Sequence, residues 1–177
     1  MSNPPQSPLP WERLKGPVWG LPATAWQVAR HPWAAFDAAP RGGLIRAAIF
    51  AVICTLVPGG IALALGVSPA GLKPWLVILG FMPLNALIIH VMFLTLGAAP
   101  KNPAPTLRVA CYAQAPALVS FIPYVGLAVF AVWNLVIMIH GLAAAYRTPL
   151  RLSLVANLIP VVFSLALSLA GAGRLFS

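Results

Sequence analysis

The chain has 177 residues, of which 60% are hydrophobic and only 7% charged, and its mean hydropathy is +0.91. That composition excludes a soluble domain, since no core of this size hides so much apolar surface from water. The net charge of +9 does not indicate nucleic acid either: the eleven Lys and Arg stand singly at the ends of apolar runs, not in the clustered stripe that a phosphate backbone demands.

From Met1 to Pro22 the chain is dense in proline, with Pro4, Pro5, Pro8 and Pro10 among them. Proline fixes φ and lacks a donor, so residues 1–22 read as a disordered or extended arm. From Ala23 the pattern changes. Trp26, Trp33 and Phe36 recur at helical spacing with Gln27, Arg30 and Asp37 between them, and Pro32 interrupts the run. Residues 23–43 are therefore expected to form an interfacial amphipathic helix on the cytosolic leaflet. Its tryptophans would sit at headgroup level, and Arg30 and Arg41 would meet lipid phosphates. The competing reading folds Trp26, Trp33 and Phe36 back onto the protein's own helices. No cleavable signal stands out in this region, which makes the first apolar run an expected uncleaved anchor.

Five apolar runs follow: Leu44 to Gly66, Trp75 to Gly97, the shorter Val109 to Ile122, Tyr124 to Tyr146, and Leu152 to Gly171. A spanning helix needs about 20 apolar residues. The expected fold is an all-α polytopic bundle of five transmembrane helices over residues 44–177. With five spans, Arg13, Lys15, Arg30, Arg41, Arg46, Lys101, Arg108, Arg147 and Arg151 lie on one side, and Lys73 and Arg174 on the other. Positive residues gather on the cytosolic face, so the N-terminus is expected in the cytosol and the C-terminus outside. Were Val109 to Ile122 not to span, Arg147 and Arg151 would change sides and the bias would shrink.

Pro58, Pro83, Pro116 and Pro160 fall inside runs and Pro123 lies between two of them, so kinked helices are expected. Cys54 and Cys111 have no metal-ligand spacing and read as small buried side chains. The polar residues inside the runs carry more information. His90, Gln114, His140 and Asn157 each lie six or seven residues from a cytosolic end, about 10 Å deep at 1.5 Å per residue. Asn85 and Asn134 lie deeper on the two histidine-bearing runs, and Tyr112 lies beside Gln114 on the third.

Polar groups are expensive in hydrocarbon and turn toward neighbours or a wet cavity. Three readings fit this layer: hydrogen bonds that fix helix packing, a transport passage, and axial ligation of a haem or pigment metal by His90 and His140. Packing is favoured, with no cofactor expected. Catalysis is not expected, because Glu12 and Asp37 are the only acids and both lie in the tail.

The stretch Pro105-Thr-Leu-Arg-Val-Ala-Cys-Tyr112-Ala-Gln-Ala-Pro116, then Phe121-Ile-Pro123-Tyr-Val-Gly126 and Ala145-Tyr-Arg147, resembles the Yip-type, Rab-interacting vesicle-trafficking membrane proteins in their bacterial form. His31-Pro32-Trp33-Ala-Ala-Phe36 is similar to that family's segment before the first span. The resemblance implies a five-span helical bundle with a cytosolic N-terminus, in the inner membrane of a bacterium. It also implies an adaptor or organising role, with membrane lipids, other membrane proteins or a second copy as partners. The short proline-rich tail departs from the eukaryotic members and puts a GTPase partner in doubt.

Overall fold

The computed structural model describes residues 9–12, 17–37, 43–67, 71–122, 125–160 and 162, and every regular element among them is helical. In chain order these are α1 (Pro17–Arg30), α2 (Pro32–Asp37), α3 (Leu44–Ala64), α4 (Lys73–Thr95), α5 (Ala104–Tyr112), α6 (Val125–Tyr146) and α7 (Leu150–Pro160). Short 3-10 segments cover Pro10–Glu12 and Ala115–Val119.

Among the described residues three helices, α3, α4 and α6, are long and apolar enough to cross a membrane. They match the first, second and fourth apolar runs. Pro58 and Pro83 are accommodated within α3 and α4. The helix ends follow a common device. Gly66 and Gly97 close α3 and α4 with φ of 66°, and the next amide returns to the helix, Val67 N to Ala62 O and Ala98 N to Phe93 O. α6 ends in the same way, with Thr148 N donating to Ala143 O, but the left-handed residue is Arg147 at φ 52°, where glycine is the usual occupant.

The third apolar run is not one regular helix. α5 stops at Tyr112 and a 3-10 stretch resumes at Ala115, where Pro116 has no amide to continue an α-helical ladder. Every residue from Val109 to Ala117 is buried, so this broken strip of chain occupies the centre of the bundle. It runs antiparallel to α4. At one end Thr106 meets His90, and at the other Trp75 Nε1 donates to Ser120 Oγ at 2.9 Å. Beyond it Gly126 packs so closely that a Cβ there would collide with the Val119 carbonyl oxygen. α7 folds back on α6, with Ser153 Oγ donating to Ile139 O. The fifth run is described only as far as Pro160 and at 162.

The N-terminal region differs from its sequence reading. The extended arm expected over residues 1–22 contains a 3-10 turn at Pro10–Glu12 and the first turns of α1. Proline suits the first helical position, where its missing amide is no loss, and Pro17 opens α1 there. The single amphipathic helix expected over 23–43 is divided at His31 into α1 and α2, as the proline that follows disfavours helical geometry there.

Candidate functional site

The tail is held against the bundle by a buried polar junction. The Trp11 amide donates to Thr24 Oγ1 at 2.8 Å, and its indole Nε1 donates to Arg46 O at 2.9 Å. These bonds fix the 3-10 turn so that Glu12 enters the helix layer. There its carboxylate pairs with Arg108 Nη2 and accepts a hydrogen bond from the Tyr112 hydroxyl at 2.7 Å. Arg46 Nη1 donates to the Glu12 carbonyl. Arg108 and Tyr112 are one helical turn apart, which places both on one face of α5, with the guanidinium 5.8 Å from the Tyr112 ring centroid. Phe50 also packs against that ring, with centroids 4.9 Å apart.

A second junction surrounds His90. Its Nδ1 lies 3.0 Å from Thr106 Oγ1 and 3.2 Å from the Tyr146 hydroxyl, and those two hydroxyls hydrogen-bond each other. α4, α5 and α6 are thereby tied at one level. His90 Nε2 is buried with no partner among the described residues.

The other members of the expected polar layer have separate local partners. His140 Nδ1 contacts the Val136 carbonyl of its own helix at 2.9 Å. Asn134 Nδ2 donates to Ala113 O at 2.7 Å, an acceptor exposed by the break after α5. Gln114 and Asn157 donate to Ala110 O and Ser153 O, and their amide oxygens are buried with no partner among the described residues. Asn85 is exposed on α4. The layer is thus several junctions, and each histidine answers to a different set of groups.

Of the expected interface residues, Trp26 and Trp33 are 65% and 46% exposed, with Arg30 stacked 5.6 Å from the Trp26 ring centroid. Phe36 is 2% exposed. It lies 6.3 Å from Tyr112, ring to ring, and against Gly141. The tail helices therefore divide the two sequence readings: the tryptophans face outward and Phe36 folds inward. Arg41 lies outside the described residues.

Sequence reasoning missed Glu12, Arg108, Thr106 and Tyr146 as partners. A signal existed for the first pair: Arg108, just before the third apolar run, and Tyr112 within it form a polar stripe at helical spacing, and Glu12 is one of two acids in the chain. Comparison with protein-family models, curated proteins and solved structures returns no match.

Proposed function

We propose that the chain is a non-enzymatic integral membrane protein, an organising or assembly subunit that works through helix–helix and lipid contacts. Asn85 carries this reading. It lies near the middle of α4, the least buried of the three long helices, and is exposed with no hydrogen-bond partner among the described residues. A carboxamide in hydrocarbon needs a partner from another helix. An amide is both donor and acceptor, so two copies related by a two-fold axis satisfy each other. A second copy of the chain is thus the partner whose chemistry fits.

The topology proposed with it is five spans in a bacterial inner membrane, N-terminus cytosolic and C-terminus outside, as in the Yip-type proteins the sequence resembles. The antiparallel course of 104–122 beside α4 supports counting that segment as a crossing. Its burial at every position from Val109 to Ala117 favours a filled bundle over a wet passage.

The test is the mass of the protein in mild detergent and in nanodiscs by light scattering. A dimer or higher assembly that Asn85→Leu shifts to monomer supports the reading, and a monomeric wild type that captures no other membrane protein on crosslinking from Asn85→Cys overturns it. Interhelical polar contacts of this kind are worth about 0.6–2 kcal/mol, enough to change the assembly constant roughly 3- to 30-fold.

A further inference from the structure

Between the end of α2, the first turns of α5 and the last turn of α6 lies a pocket of about 70 Å³, whose lining includes Phe36, Asp37, Arg108, Val109, Ala144 and Arg147. Its charged walls are incompletely matched. Arg108 is only 6% exposed; its Nη2 is committed to Glu12, while Nε and Nη1 are buried with no partner among the described residues. A guanidinium presents its donors in a planar fork that suits the oxygens of a phosphate or carboxylate. Arg147 adds a second guanidinium from the left-handed turn after α6. Asp37, on another wall, is exposed and makes no ion pair among the described residues.

We propose that this pocket binds a phosphate group, received by Arg108 and Arg147, with Asp37 placed to take a cationic substituent on the same ligand. Phe36, Val109 and Ala144 supply an apolar wall for whatever carries the phosphate. With Glu12 balancing Arg108, Arg147 and Asp37 leave the pocket without net charge, which matches a phosphate bearing an amine, as in an ethanolamine headgroup, better than a dianion alone. The pocket sits where α2 and α6 end and α5 begins, near in sequence to the connector carrying Lys101 and the first turn of α7 carrying Arg151, so under the proposed topology it opens at the level of the cytosolic headgroups. This inference concerns a ligand and not assembly, and it stands or falls separately from the Asn85 contact.

The left-handed backbone of Arg147 provides a clean variant. Arg147→Gly removes the guanidinium while placing glycine in the conformation it tolerates best, so the fold is expected to keep or raise its melting temperature. Arg147→Asn, also tolerated there, serves if the glycine variant folds poorly. The full chain in mild detergent is titrated by native mass spectrometry with short-chain phosphatidylethanolamine, short-chain phosphatidylglycerol and inorganic phosphate.

Saturable binding that weakens at least about tenfold in Arg147→Gly, roughly the loss of one charge-assisted hydrogen-bond pair, supports the site. Binding of the lipids alone identifies a headgroup as the source, and binding of inorganic phosphate as well identifies a free anion. Asp37→Asn is expected to weaken the ethanolamine lipid several-fold more than the glycerol lipid. No saturable binding of any probe, or binding that is unchanged in the Arg147 variants, overturns the proposal.

Discussion

Glu12 and Arg108 are 96 positions apart in the chain, yet they form an ion pair inside the helix layer. The pair joins a tail that looks unstructured by composition to the centre of the bundle. Removing one member of a buried pair strands the other charge, which costs about 3–5 kcal/mol, whereas replacing both with apolar residues of similar size is often near neutral. Glu12→Gln is therefore expected to lower thermal stability sharply and release the tail to protease. The double variant Glu12→Leu with Arg108→Met is expected to recover most of the loss. A double variant less stable than Glu12→Gln in detergent melting assays would count against the pair as the tail's anchor.

The two faces of the tail should separate under mutation. Trp26→Ser with Trp33→Ser removes the outward rings and is expected to cut quenching of tail tryptophan fluorescence by brominated lipid while leaving the melting temperature within a few degrees of wild type. Phe36→Ala removes a buried ring packed on Tyr112 and Gly141 and is expected to cost about 3–5 kcal/mol. Equal stability losses for the two variants would show that the division between outward and inward faces is wrong.

Two glycines offer a paired comparison. A Cβ on Gly126 would press on the Val119 carbonyl, whereas one on Gly80 meets nothing within 4 Å among the described residues. Gly126→Ala must displace backbone and is expected to cost about 1–3 kcal/mol, as overpacking typically does. Gly80→Ala is expected to be neutral or to stabilise α4 by up to about 1 kcal/mol. Melting curves of the two purified variants decide the order.

Topology is open to labelling. On a background lacking Cys54 and Cys111, single cysteines at positions 101 and 147 are expected to react only from the cytosolic side, and those at 73 and 177 only from outside. Reactivity of position 177 from the cytosol would refute five spans.

Much of the long-helix framework was legible. The runs beginning at Leu44 and ending at Tyr146 coincide with the bounds of α3 and α6 at those residues, and the second run is displaced from α4 by two positions at each end. Apolar length alone determines these. The third run was legible only as apolar chain. Its break after Tyr112 depends on Pro116 and on the surrounding helices, which together decide where the freed carbonyl of Ala113 finds Asn134. The candidate junctions were less visible still, because periodicity reports a residue's face but not its distant partner. His90 was singled out by its depth, while Thr106 and Tyr146, which complete its surroundings, look like ordinary ends of helices. Phe36 shared the spacing of Trp26 and Trp33, yet within α2 it is buried while Trp33 is exposed, a distinction that depends on the packing of Tyr112 and Gly141 against it and that spacing alone does not carry.

The interrupted third segment also bears on how the protein enters the membrane during synthesis. Irregular backbone is tolerated at membrane depth only where other protein surrounds it, and the carbonyl of Ala113 takes its bond from Asn134, a residue translated later. As it leaves the ribosome this segment has neither the length nor the satisfied backbone to partition into lipid on its own. Its place becomes favourable once α6 has followed it. Under the proposed five-span topology the segment is expected to insert in company with its successor as a hairpin, and a nascent chain halted before α6 should leave residues 104–122 in water.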